Sequence, residues 1–289
     1  MTGNTLGWVI VAFVLYLLMM IAIGAFYAKG NNNSEDYFLG GRKLNGFVAA
    51  LSAQASDMSG WLLMGLPGAI YLTGVGGDGW IAIGLFIGTT LNWLFIATKL
   101  RRYTIRANNS VTLPTYFENR FHDEKKVLMT VSSITIVVFF LVYCASALSA
   151  GGQLFESVFG IDYHVALTIG ALVVLVYTFL GGFTAVCVTD FIQGMLMLVG
   201  ILAVPLFAYH FLTTGGTTLS AGLEASGADS ANFLNLMKNG DGSNNIISVI
   251  SGLGWGLGYF GMPHILVRFM AVRDEKEMTK SKATAISWV

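Results

Sequence analysis

The chain has 289 residues, of which 55% are hydrophobic and 11% charged, with sixteen basic and sixteen acidic side chains. Soluble domains carry about 25% charged residues, so the composition excludes an ordinary soluble domain and predicts an all-α polytopic membrane protein. A net charge of zero leaves no basic face for phosphate contacts, which excludes a nucleic-acid partner.

A helical span needs about 20 apolar residues. The candidates, in order, are 5–28, 44–75, 79–100, 127–155, 164–185, 188–213 and 243–270, and a further one begins near Met278 and runs to Val289. The run from Leu6 to Ala28 is too long for the apolar part of a cleavable signal, and no Lys or Arg precedes it, so it reads as a span. Spans 44–75 and 243–270 are long and rich in glycine, with Pro67 and Pro263 late in each, and these two are expected to be discontinuous helices. The loop 101–126 contains LPTYFENRF, a short amphipathic helix with Pro114 near its first turn. The loop 213–243 is polar, with a short helix expected around Asn232 to Met237. No phosphate-binding loop of the Walker type is present, so no engine for ATP-driven transport is visible.

The loops alternate between two sides. One side holds every Lys and Arg but Lys238. That asymmetry puts the charged loops on the cytoplasmic side and the N-terminus outside, and the chain is expected in the plasma (inner) membrane. Cys144 and Cys187 both fall in apolar segments without metal-ligand spacing and read as small apolar fillers.

The most informative stretch is AALSAQASDMSGWLLMGLPGA, from Ala49 to Ala69. A carboxylate at bilayer depth costs at least ~2.5–3.5 kcal/mol, so a chain that keeps Asp57 there is expected to use it. A hard cation such as Na+ takes oxygen ligands. Asp57, the Ser59 hydroxyl, and the carbonyls of Ala55 and Met58 beside Gly60 supply them on one broken helix. Two other roles stay open for Asp57: internal hydrogen bonding within the bundle, and titration with a proton. The second broken segment reads GLGWGLGYFGMPHILVRFM. Its glycines cost ~1 kcal/mol each in a plain helix and suit backbone that unwinds or approaches a ligand. Trp255 and Tyr259 are four apart and share a face; they either line a site for a small amphiphilic ligand or pack on neighbouring helices. His264 is a satisfied polar residue or a proton relay. Tyr143 lies mid-span in FFLVYCASALSAGG, which allows close helix approach. Asp190, at the start of 188–213, either complements a helix dipole or serves as a station on an inward ion path. Arg42, in LGGRKL, reads as a basic anchor at the membrane edge. No Ser/His/Asp set and no HExxH motif appears, so the chain is not read as an enzyme.

The motifs ALSAQASDMSGWLLMGLPGA, DYFLGGRKL, YTFLGGFTAVCVTDFIQG and GWGLGYFGMPHILVRFMA closely resemble the sodium:solute symporter family. The resemblance implies a leucine-transporter-like inverted-repeat fold. In it 5–28 would be an extra N-terminal helix, 44–213 the first five-helix repeat, and 243–289 the start of a second repeat, within a single transmembrane domain 1–289. It implies Na+-coupled symport of L-proline into the cell, with Na+ as the coupling ion, membrane lipid as the surroundings and no obligate protein partner. By the same resemblance Na+ is held at Ala55, Asp57, Met58, Ser59 and Gly60. Trp61, Tyr143, Trp255, Tyr259 and Pro263 match positions at the substrate site. Asp190 matches an acid on the ion-release route, and Arg42 an arginine associated with ion coupling. The family's pattern continues through further spans, so a fragment of a longer protein is expected. Two rival functions are a transporter-like sensing module of a signalling protein and Na+ symport of a different amino or carboxylic acid.

Overall fold

The computed structural model describes residues 3–289. Its elements are helices, and the only strand-type pairings among the described residues are the isolated bridges Leu44–Val272 and Lys238–Asn244. The order begins with α1 (Gly3–Ala28) and the short α2 (Ser34–Leu39). A broken helix follows: α3 (Gly46–Gly60), a π-helical turn over Trp61–Gly65, and α4 (Leu66–Thr73). α5 (Val75–Leu91) continues through a π segment, Asn92–Ala97, into α6 (Thr98–Arg106). Next come α7 (Leu113–Phe121), α8 (Val127–Phe159) and α9 (Tyr163–Thr214). The polar loop carries α10 (Leu219–Ala225) and α11 (Ser230–Phe233). A second broken helix comprises α12 (Ile246–Trp255), a 3-10 segment over Gly256–Gly261 and α13 (Pro263–Ala271), and α14 (Glu275–Trp288) ends the chain.

Local chemistry sets the boundaries. Asn45 starts α3 by accepting from the Phe47 N–H, and Thr112 and Thr115 form a reciprocal cap that starts α7, with Pro114 in its first turn. Asp162 accepts from the N–H groups of His164 and Val165 to start α9. Asp274 caps α14, and Glu275 and Glu277 complement the dipole of its first turn. In the polar loop Asp229 starts α11 at Ser230, so the short helix lies ahead of the expected 232–237, and residues 234–238 turn instead.

Among the described residues four helical stretches are long and apolar enough to cross a membrane: Gly7–Ala28, Val75–Arg106, Val127–Phe159 and Tyr163–Thr214. The pair Ile246–Gly261 and Pro263–Ala271, bent by 47°, adds a fifth. The expected break in 44–75 lies at Ser59 (φ 31°, ψ −164°). The boundary between the expected spans 164–185 and 188–213 differs for a physical reason. The expected division between 185 and 188 is absent, and α9 runs on through both positions. Its break lies earlier, at Gly182 (φ 59°, ψ −158°), where a residue without Cβ adopts a conformation that others avoid. At about 1.5 Å per residue an unbroken α9 of 52 residues would far outrun a hydrocarbon core of about 30 Å.

The buried core sits toward the basic end. There the Trp93 and Phe269 rings pack with centroids 4.4 Å apart and planes tilted by 60°, amid Leu39, Met270, Val272 and Met278. α8 exposes Val131, Ile134, Val138, Phe139 and Val142, the pattern of a helix bathed in hydrocarbon. α12 lies directly on α5: a Cβ on Gly84 would stand 2.1 Å from the Gly252 carbonyl oxygen, and one on Gly88 2.2 Å from that of Gly256. Part of the glycine-rich run therefore serves helix contact rather than a ligand. Cys187 is buried, and Cys144 is exposed on α8.

Candidate functional site

The two broken helices meet where both lose regular structure. Asp57 stands two residues before the break at Ser59, and helix ends leave last-turn carbonyls without their usual partners. The Met58 carbonyl accepts the Trp61 N–H, and the Ser59 hydroxyl oxygen accepts from the same N–H at 3.3 Å. Across the gap, the 3-10 segment brings in Tyr259, which is 3% exposed and donates its hydroxyl to Asp57 Oδ2. The Asn92 amide fixes this unwound segment by donating to the Tyr259 carbonyl at 2.9 Å. Among the described residues Asp57 pairs with no Lys, Arg or His.

A cavity of about 850 Å³ opens at this meeting point. Asp57, Met58, Ser59, Gly60 and Trp61 form one wall, Tyr143 and Ser146 of α8 another, and Trp255 and Tyr259 a third. Trp61 and Trp255 stack across the gap at 5.4 Å with planes 5° apart. The Tyr143 hydroxyl donates to the Ser56 carbonyl at 3.4 Å, and its ring stacks on His264 at 5.7 Å. His264 finds no hydrogen-bond partner for either ring nitrogen among the described residues. The cavity thus offers aromatic faces on one side and, beside the break, oxygen donors only. That donor chemistry fits a hard cation.

Two residues of the expected set lie outside this cavity. Ala55 faces α9, where a Cβ on Gly194 would stand 3.5 Å from the Ala55 methyl. Pro263 opens α13 and lines a separate apolar cleft of about 520 Å³ with α7 and α8.

Asp190 is not a helix-terminal acid. It lies inside α9, past the Gly182 break, and is buried. Its Oδ2 accepts from Ser52 Oγ (2.7 Å), Ser56 Oγ (3.1 Å) and Arg268 Nη2 (2.8 Å). Arg268 also donates through Nε to Ser52 Oγ (3.0 Å), and through Nη2 to Ser56 Oγ (2.7 Å). This network ties α3, α9 and α13 together one turn below Asp57. Arg268, Ser52 and Ser56 enter the site without a role assigned to them from the sequence. The usable signal was the spacing of the two serines, four apart on one face of α3.

Arg42 is likewise no solvated anchor. It is 7% exposed and donates to the carbonyls of Met270 (2.8 Å) and Ser110 (2.9 Å) and to Asn109 Oδ1 (3.1 Å), with Glu35 at 3.3 Å. Burial pulls its guanidinium below the ordinary arginine range, and Glu35 pulls the other way. Arg42 therefore closes the C-terminal end of α13 against the first loop.

The family model for the sodium:solute symporter family matches residues 37–289. A sodium/proline symporter of Salmonella typhimurium is 45% identical over 280 residues, covering 97% of this chain and 54% of that protein. One of Haemophilus influenzae is 46% identical over 282 residues, covering 97% and 55%. The chain spans about half the length of the curated relatives it matches. A solved structure of a Na+-coupled sialic acid symporter in a substrate-bound outward-open state superposes with a TM-score of 0.75 at 20% identity, over 94% of this chain and 56% of that one. At that identity the likeness shows the fold, which is leucine-transporter-like and helical throughout. The chain is a multi-pass membrane protein, and it belongs to the sodium:solute symporter family.

Proposed function

We propose that the chain is the N-terminal part of a secondary transporter that couples Na+ entry to uptake of L-proline. The observation that carries this reading is Asp57: a carboxylate at a helix break, on a cavity wall, without a cationic partner and bonded to Tyr259 of the other broken helix. Na+ binds at Asp57 with the Ser59 hydroxyl and the backbone oxygens of Ala55, Met58 and Gly60. It joins or replaces the Tyr259 hydroxyl there, so ion occupancy and the posture of the second broken helix are linked. Coupling then follows from different affinities of the ion for the two arrangements.

The substrate lies in the cavity, against Trp61, Trp255, Tyr143 and Tyr259. A pyrrolidine ring presents apolar faces to the stacked indoles, and its ionised groups reach the helix ends and hydroxyls. The names of the relatives support proline. Asp190, held by Arg268 and two serines, is the next acid along an inward path, and Arg42 transmits the state of the first loop to α13. The basic end faces the cytoplasm and the N-terminus lies outside.

The test is Na+-driven uptake of labelled proline into proteoliposomes by a form of the protein extended to the length of its relatives. Asp57→Asn abolishes the Na+ dependence, whereas uptake unchanged by that substitution rejects the ion assignment. Competition with a panel of amino and carboxylic acids decides the substrate, and a better competitor than proline replaces it.

A further inference from the structure

The basic end of the fold holds a second cavity, remote from Asp57. It encloses about 230 Å³ between α6 and α14. Arg101, Arg102 and Arg106 line it on one side and Glu275 on the other. Arg101 is fixed by donating to the carbonyls of Val272 and Arg273. Arg102 pairs with Glu275 at 2.7 Å, and Arg106 engages no acid among the described residues. Asp274 and Glu275 both act on Arg101, so the three guanidiniums retain an excess of positive charge over these acids. Arg101 and Arg102 already spend Nε and Nη2 on the Val272 and Arg273 carbonyls and on Glu275, so the fork left for phosphate oxygens is that of Arg106.

The surface leading from this cavity is apolar. Ile105, in its lining, is 41% exposed, and Leu91, Leu94 and Phe95 are exposed further along the same continuous helix, Leu94 and Phe95 within its π segment. Beside that stripe Lys282 of α14 donates to the Leu94 carbonyl at 3.3 Å. A free phosphate would use only the arginines, whereas a phospholipid uses both features. We propose that this cleft binds an anionic phospholipid, its headgroup phosphate among Arg101, Arg102 and Arg106 and an acyl chain along Leu91, Leu94 and Phe95. A zwitterionic headgroup brings a cation into a pocket already in positive excess and binds less well.

Native mass spectrometry of the purified 289-residue protein in detergent tests this with equal amounts of phosphatidylglycerol and phosphatidylcholine. The expected result is preferential retention of phosphatidylglycerol. Arg106→Gln reduces it about fivefold, as for ~1 kcal/mol per basic residue, and Lys125→Gln, in a different loop, leaves it unchanged. Phe95→Ser weakens retention while sparing the charges. Equal retention of the two lipids, or equal loss in Arg106→Gln and Lys125→Gln, overturns the site. Displacement of the lipid by millimolar inorganic phosphate overturns the lipid assignment and leaves only an anion pocket. Circular dichroism of each variant separates lost binding from lost folding.

Discussion

Ser59 and Gly182 break their helices with nearly the same backbone conformation, φ 31° and ψ −164° against φ 59° and ψ −158°. The surroundings differ. Gly182 is buried: a Cβ there would stand 3.0 Å from the Tyr37 carbonyl oxygen and 3.1 Å from the Asn31 amide nitrogen. The conformation is assigned to the one residue type that adopts it without strain. Ser59 opens onto the large cavity and keeps a side chain in a region that costs such residues about 1–3 kcal/mol. A break that only redirects the chain is built from glycine. A break that retains a hydroxyl at a cost in stability sits beside Asp57, the acid we propose as the ion ligand.

The largest test of this contrast removes the support under the strained break. Arg268→Gln leaves Asp190 buried with only serine donors and lowers stability by about 3–5 kcal/mol, while replacing Arg268 and Asp190 together with apolar residues costs far less. Denaturant unfolding of both variants checks the difference. Gly182→Ala ranks next, with about 1–3 kcal/mol of backbone strain and the contacts to Tyr37 and Asn31 in addition; its melting temperature should fall clearly. Ser59→Gly has the opposite sign: stability rises by about 1 kcal/mol as strain is relieved, and the stabilising effect of Na+ weakens because an oxygen ligand is gone. A loss of stability in Ser59→Gly would erase the contrast between the two breaks.

The smallest effect lies at the other end of α3. The hydrogen bond from Lys280, followed by that from the Gly46 N–H at 2.7 Å, holds the Glu277 carboxyl below the usual glutamate range. Its folded-state value is depressed, so its contribution is present above the unfolded value of about 4.3. It is lost as pH falls through the lower folded value. Melts from neutral to acid pH should show a steeper acid limb in the native protein than in Glu277→Gln.

Much of the fold was legible because apolar runs and loop charges are long-range patterns. The beginning of α7 is written in a few residues around Thr112 and Pro114, whereas α14 starts at Glu275 behind the Asp274 cap, ahead of the expected Met278. The expected division of α9 sits ahead of the polar pair Thr189 and Asp190, whereas the chain turns at Gly182, where a missing Cβ permits the positive φ. For the site, the stretch around Asp57 announces itself by polarity at apolar depth. The Tyr259–Asp57 bond was hidden, since it joins residues 202 apart, and no local pattern encodes that distance. Arg268 escaped notice for the same reason. Its partner Asp190 lies on another helix, and a lone arginine after an apolar run looks like a loop cation until its neighbours are placed.

The most direct test is the melting temperature of the purified protein in NaCl and in choline chloride at equal ionic strength, for the native chain and for Asp57→Asn. Selective ligand binding to the folded state raises its stability by mass action. The native protein should melt higher in NaCl, and Asp57→Asn should melt alike in both salts. A Na+ shift that survives in Asp57→Asn would show that the ion is held elsewhere and contradict the account.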